Sequence, residues 1–310
     1  MIIVGPTLLS GIGQVCKQLS KLLKCEFKTF DNVDTNGYDG DVIAFMLPVD
    51  RFINIISNIK GKKVLMTICE TETVSEKYGE MFNKFKQTWY VSSEFCKDVF
   101  SKQFPDHRFE IINMWSPTVP RVICNTSFTG QYVYYHIGNI IDGRKNFAAV
   151  VDAYTKIYKP NMHFIVKATC SHPIHSNSPF LTIINDMLDD EAMNQLHDRC
   201  HCYVSCSFSE GIGMGAVEAA MRDKPVIITE YGGAKEYINT PYLVPCGRRN
   251  VGFEDFLFSK DFIWGDPNLV KLEEFMLDAY EKRLTYMNHD HTRNITDGEI
   301  ISKSIHAACN

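Results

Sequence analysis

Two successive stretches of this sequence alternate short β-branched or aromatic runs with longer segments whose apolar residues recur at helical spacing, and that alternation leaves few folds open. In the first stretch the runs at 2–4, 41–46, 63–68, 88–91 and 109–112, with 25–29 as a further candidate, read as strands. The segments 13–23, 49–59, 75–85 and 94–103 between them read as amphipathic helices. The second stretch predicts strands at 132–137, 163–168, 203–206, 226–229 and 242–244. It predicts helices at 146–158, 214–222, from Ala234, at 268–287 and at 297–308, with a helix-rich stretch over 180–197. Each stretch spells a Rossmann-like, doubly wound parallel sheet, and 310 residues suffice for two such cores. Trp115 to Pro120 carries two prolines and no period follows up to Gln131, which places a linker there. The expected layout is an N-terminal domain at 1–125, a second domain at 131–290 and a closing helix at 291–310. Open α/β sheets bind ligands at the carboxyl ends of their strands, so two of them facing one another predict a shared cleft that holds the chemistry.

Composition narrows the partners. The formal net charge is -5, so no global basic field draws the chain to nucleic acid. No run approaches the ~20 apolar residues of a membrane span, which leaves only peripheral membrane attachment open. The start Met1-Ile2-Ile3-Val4-Gly5 reads as a first strand, without the basic flank and cleavage site of a secretory leader. The eleven cysteines, odd in number and scattered in spacing, are therefore expected as reduced thiols in a cytoplasmic setting.

Chemistry concentrates in Ser209 to Ala220, between a predicted strand and a predicted helix. Gly211, Gly213 and Gly215 let backbone approach a ligand closely, and the amides that open the following helix face outward with its positive dipole end. An anion such as phosphate suits that place. Glu210 falls in the loop mouth and Glu218 near the second turn of the helix, so one carboxylate can hold a sugar and the other a ribose. Upstream, Arg144 and Lys145 lie in a loop that ends one strand and opens a helix, where fixed cations can meet a diphosphate. His197, Cys200, His201, Cys202 and Cys206 crowd together as zinc ligands do, but no second knuckle accompanies them and the last cysteines fall on a strand, where they are expected as small buried hydrophobes.

Ser209-Glu210-Gly211-Ile212-Gly213-Met214 with Glu218, followed by Lys224-Pro225-Val226-Ile227 and Gly232-Gly233-Ala234-Lys235-Glu236, resembles the donor-site block of retaining glycosyltransferases of family 4, the glycosyl transferases group 1. The resemblance spans nearly the whole chain in architecture and is motif-specific over about 135–240. It implies a GT-B fold, two Rossmann-like domains facing a cleft, and transfer of a hexose-type sugar from a UDP- or GDP-sugar to a glycan, lipid or protein-linked acceptor. It implies no further cofactor and no metal. On this resemblance Arg144, Lys145 and Glu210 are the catalytic group, the cations gripping the diphosphate and Glu210 holding the donor sugar, while Gly211, Ile212, Gly213, Met214 and Glu218 bind the donor, Glu218 at the ribose. Many members carry an arginine where this chain has Asn139, directly after Gly138.

The loop Gly5 to Gly13 resembles the family's glycine-rich first loop and adds Gly11 and Gly13 to the donor side; it lacks the P-loop lysine and the dinucleotide glycine spacing. Tyr90 to Phe95 resembles a strand-to-helix passage of the family's first domain, and Glu70, after Thr67-Ile68-Cys69, is the acceptor-side candidate. A catalytically silent nucleotide-sugar-binding protein on the same fold and a nucleotide-sugar epimerase of similar build are the alternatives.

Overall fold

The computed structural model describes residues 1–34, 38–115 and 130–309. Most of the expected linker, 116–129, lies outside the described residues. The chain forms two units, Met1–Pro117 with Arg249–Trp264 and Ile295–Asn310, and Thr118–Arg248 with Gly265–Asn294.

The first unit is built from β1 (Ile2–Gly5), α1 (Gly11–Leu23), β2 (Glu26–Thr29), β3 (Val42–Phe45), α2 (Asp50–Ser57), β4 (Lys63–Thr67), α3 (Lys77–Lys84), β5 (Trp89–Val91), α4 (Glu94–Gln103) and β6 (Phe109–Ile111). Its six strands run parallel in the order β2-β1-β3-β4-β5-β6. β1 and β3 are buried along their whole length, as their unbroken Ile, Val and Phe runs require of strands covered on both faces. Ser10 caps α1, its Oγ accepting from the Gly13 amide at 3.0 Å. Ser93 caps α4 in the same way, accepting from the Cys96 amide at 3.2 Å. Such caps are each worth ~1 kcal/mol and mark where strand gives way to helix. Phe82 anchors the core, with Trp89, Phe100, Phe104 and Phe109 packed edge-on around it and Phe100 stacked on Phe109.

The second unit begins with β7 (Tyr132–Gly138), α5 (Phe147–Ile157), β8 (Met162–Ala168), β9 (Leu181–Ile184), α6 (Asp190–Arg199), β10 (Cys202–Val204) and α7 (Met214–Met221). It continues with β11 (Val226–Thr229), α8 (Ala234–Tyr237) and β12 (Leu243–Val244). Beyond these come the paired strands β13 (Cys246–Asn250) and β14 (Ile263–Pro267), then α9 (Leu269–Glu281), α10 (Asp290–Ile295) and α11 (Gly298–Cys309), the last of which belongs to the first unit. The main sheet is again six parallel strands, in the order β12-β11-β10-β7-β8-β9. Its core joins Tyr134, Tyr154 and Phe164 to Leu272 and Met276 of α9.

The expected helix-rich stretch over 180–197 is corrected at its start. Leu181–Ile184 is an edge strand in register with Phe164 to Lys167, and only Asp190–Arg199 is helical. A Leu-Thr-Ile-Ile run is β-branched, and β8 would otherwise leave a row of unpaired backbone groups at the sheet edge. β13, four of whose five residues are exposed, carries no apolar alternation to announce it.

In the second unit the strand order reverses between β7 and β10, whose neighbours on either side are β8 and β11. The loops leaving the carboxyl ends of those two strands are 139–146 and 205–213, which hold the candidate residues.

Candidate active site

β7 ends at Gly138 and leads to a single 3-10 turn, Gly143–Lys145, capped by the Asp142 carboxylate on the Arg144 amide at 3.0 Å. β10 leads to Cys206 and Ser207, and the two loops are tied by main chain and side chain. The Phe208 amide donates to the Arg144 carbonyl at 2.9 Å, and Asn146 Nδ2 donates to the Cys206 carbonyl at 3.1 Å. Residues 65 apart in sequence are thereby fixed side by side.

Glu210 is the hub. Its Oε1 accepts from Lys145 Nζ at 2.6 Å and from Ser207 Oγ at 2.7 Å, and its Oε2 accepts from Arg144 Nη1 at 3.2 Å. Arg144 also donates to the Ser209 carbonyl at 2.7 Å and reaches Asp142 Oδ2 at 3.3 Å. The Arg144, Lys145 and Glu210 side chains are only 11%, 16% and 15% exposed, so their charges interact through a medium less polarisable than water. Burial alone would push the Glu210 carboxyl up; the Lys145 and Arg144 charges, with hydrogen bonds from Lys145 and Ser207, outweigh it and hold the group at about 2.

The backbone around Glu210 is equally determined. Its carbonyl accepts from the Gly233 and Ala234 amides at 3.0 and 3.3 Å, which docks the start of α8 on this loop. Gly232 has φ +71, and a Cβ there would lie 2.6 Å from the Glu210 carbonyl oxygen. Only glycine satisfies both demands.

Gly213, at φ +74, precedes α7 and offers no side-chain cap. Ala216 and Val217 both donate to the Gly213 carbonyl, at 2.9 and 3.1 Å, leaving the Met214 and Gly215 amides at the mouth of the helix with its positive dipole end. Gly211 and Ile212 are buried beneath this turn. Lys145, Glu210, Gly213 and Met214 line a pocket of ≈40 Å³ together with the hydroxyl-bearing Tyr203, Ser205, Ser207 and Thr229. A few water molecules fit in its enclosed part.

Glu218 lies one turn further along α7, outside the residues that line this pocket. Its Oε2 is 3.7 Å from Nε2 of His197 on α6. Asn139 Oδ1 accepts from the Cys170 thiol at 3.1 Å, which binds the loop after β7 to the end of β8.

The remaining candidates sit in the first unit. A Cβ on Gly13 would lie 2.1 Å from the Thr7 carbonyl oxygen and the Gly13 amide is taken by Ser10, so the first loop needs glycine there for its own turn. Gly11 opens α1 with nothing within 4 Å of a Cβ. Glu70 follows β4 at intermediate exposure. Ten described cysteines are free thiols, and among the described residues no three His, Cys, Asp or Glu side chains group as metal ligands, so Cys200, Cys202 and Cys206 are buried core residues.

The sequence does not single out Asp142, Ser207 and His197 as partners of the candidate residues. Ser207 and Asp142 have a local signal, standing three residues before Glu210 and two before Arg144, whereas the approach of His197 to Glu218 is set by the fold.

Residues 183–244 match the family model described as glycosyl transferases group 1, a segment that runs from β9 to β12 and contains Ser207, Glu210 and Glu218. That segment is similar to the glycosyl transferases group 1. Around it the whole architecture is similar to solved glycosyltransferases. The pneumococcal O-GlcNAc transferase GtfA, solved in complex with UDP and GlcNAc, is 13% identical with TM-score 0.60, covering 96% of this chain and 60% of that one. Sucrose-phosphate synthase from Thermosynechococcus elongatus is 12% identical with TM-score 0.61, covering 86% and 72%. Trehalose-6-phosphate synthase, solved to study enzymatic glycosyltransfer with retention, is 9% identical with TM-score 0.58, covering 96% and 77%. The fold of the chain is therefore GT-B. The chain spans about 60% of the length of the first of these structures. No curated protein matches the sequence closely. No described helix is long and apolar enough to cross a membrane.

Proposed function

We propose that this protein is a retaining glycosyltransferase that moves a hexose-type sugar from a UDP- or GDP-sugar to a glycan, lipid or protein-linked acceptor without a metal ion. The observation that carries this is the placement of Glu210, Lys145 and Arg144 together at the strand-order reversal, beside the uncapped start of α7. Departure of a nucleoside diphosphate builds negative charge on its phosphates. Arg144 and Lys145, fixed beforehand and with the Met214 and Gly215 amides nearby, stabilise that charge more in the transition state than in the ground state. Their two positive charges take the part that a metal ion would otherwise play.

The donor sugar lies beside Glu210 in this pocket, with the Glu210 carboxylate accepting from sugar hydroxyls. Held ionised and gripped on both oxygens, Glu210 orients the sugar and is not a nucleophile. The acceptor hydroxyl then attacks from the face the diphosphate leaves, and the departing phosphate oxygen takes its proton. Glu218 accepts from the ribose. UDP and GlcNAc in the pneumococcal relative, and retention in the trehalose-6-phosphate synthase work, support the donor class and the stereochemical course.

Thermal shift with UDP-, GDP- and ADP-sugars identifies the donor, because a ligand of the native state raises the unfolding temperature. Transfer from the radiolabelled donor, run with and without chelator, is expected to persist without metal and to give the retained anomer. Unchanged nucleoside diphosphate affinity in both Lys145→Ala and Glu218→Ala would refute the donor-site assignment.

A further inference from the structure

His197 is 1% exposed, on the last turn of α6, and its Nε2 approaches Glu218 Oε2. Burial first, and then the neighbouring Arg222 and Lys224 charges, hold its imidazole neutral against the pull of Glu218. A neutral imidazole carries one proton, and two contacts decide where it sits. Nδ1 is 2.9 Å from the Tyr135 hydroxyl. Tyr135 is fully buried and its ionisation is pushed well above the usual range by that burial, so it is a phenol able to donate. At the other edge Nε2 faces Glu218 Oε2 at 3.7 Å, with no hydrogen-bond partner within 3.5 Å among the described residues. A lone pair there would repel the carboxylate, whereas an N–H is attracted to it. Both contacts select the same tautomer: Tyr135 O–H donates to Nδ1, and Nε2–H points at Glu218.

An N–H buried without a partner is costly, and Glu218 can relieve that cost. Its side chain is 28% exposed, and a movement of under ~1 Å would close the 3.7 Å gap to hydrogen-bond length. Arg222 does not compete for the carboxylate through Nη1 or Nη2, which donate to the Glu218 carbonyl and to Asn194 Oδ1. We propose that His197 is a positioning residue for ribose recognition: its Nε2–H takes one oxygen of the Glu218 carboxylate and presents the other to the ribose hydroxyls of the donor. This rests on the assignment of Glu218 to the ribose made above.

The test is calorimetric titration of the full chain near neutral pH with whichever of UDP, GDP and ADP binds the wild type tightest, beside its 2′,3′-dideoxy form. The wild type is expected to prefer the ribose form by about tenfold and Glu218→Ala to lose that preference. His197→Phe should reduce it to about threefold or less with the dideoxy affinity unchanged, and His197→Gln, which keeps a donor near the Nε2 position, should restore it. A wild type without preference, or one whose preference survives in Glu218→Ala, overturns the ribose assignment. Preference lost in Glu218→Ala and kept in His197→Phe overturns the role of His197 alone. Should His197→Phe fail to fold, the ring nitrogen shifts of His197 in the wild type serve instead. Nε2 is expected to carry the proton and to shift when the ribose form binds but not when the dideoxy form does; a bare Nε2, or equal shifts with both forms, overturns the proposal.

Discussion

Lys145 Nζ lies 2.6 Å from Glu210 Oε1, so the cation proposed to meet a diphosphate is paired with the carboxylate proposed to meet a sugar. With Arg144 and Asp142 included, two positive charges face two negative ones, and the cluster is formally neutral. A bound diphosphate would therefore compete with Glu210 for the charge of Lys145 and Arg144. Glu210→Gln is expected to bind a nucleoside diphosphate several-fold more tightly than the wild type while losing transfer. Lys145→Ala should bind it about tenfold more weakly, as loss of a charge-assisted contact of ~1.5 kcal/mol requires. Calorimetric titration of both variants checks this. Weaker binding by Glu210→Gln would show that the pairing does not restrain the cations.

The same pairing sets an acid limit on stability. The Glu210 carboxyl is held at about 2 in the folded protein against 4.5 ordinarily. A depressed carboxyl contributes stability that is fully present above the unfolded value and is lost as pH falls toward the folded one. Between pH ~4.5 and ~2 this group is expected to remove roughly 3 kcal/mol of stability. Urea unfolding between pH ~5 and ~3 should show a shallower decline in Glu210→Gln than in the wild type. Parallel declines would mean that the carboxylate gains nothing from Lys145 and Arg144.

His136 acts over a higher range. It is 1% exposed on β7, and burial first, then Lys145, lower its imidazole to about 4, although its Nδ1 lies 2.9 Å from the Val204 carbonyl. The unfolded chain takes up that proton near pH ~6.5 and the folded chain does not, so stability is fully present above pH ~6.5 and declines as pH falls toward ~4. A proton NMR titration is expected to show the His136 ring neutral down to pH ~5 in the folded protein. Protonation of His136 at the unfolded value would refute its placement in the core beneath Lys145.

Much of this fold was legible because its strands are short, β-branched and bounded by turn residues; Glu94–Gln103 and Val226–Thr229 have the limits the residue pattern predicts. What escaped depends on neighbours distant in sequence. Leu181–Ile184 becomes a strand because β8 has an edge to be paired, and Cys246–Asn250 pairs with β14 despite an exposed, polar surface. The site divides along the same line. Glu210, Arg144 and Lys145 stand out by residue type and loop position. Their pairing, the support from Ser207, and the contact of Glu218 with His197 arise only once β7 and β10 lie side by side.

Gly215 offers a test of how closely α7 is pressed onto that sheet. In an exposed helix, glycine to alanine is favourable by ~1 kcal/mol. Here a Cβ would lie 2.6 Å from the Tyr203 hydroxyl and 3.1 Å from the Ile137 carbonyl oxygen. Tyr203 is 3% exposed and reaches that same carbonyl at 3.3 Å, so it has little room to withdraw. Overpacking of this kind costs ~1–3 kcal/mol, which exceeds the helix gain and reverses its sign. Gly215→Ala is thus expected to be destabilised by ~1–2 kcal/mol in urea unfolding and to bind a nucleoside diphosphate more weakly, because the Met214 and Gly215 amides shift with the helix. Removing the hydroxyl in Gly215→Ala/Tyr203→Phe relieves the closest approach and should recover much of the stability. A single Gly215→Ala variant as stable as the wild type would mean that α7 stands off the sheet by more than this geometry allows.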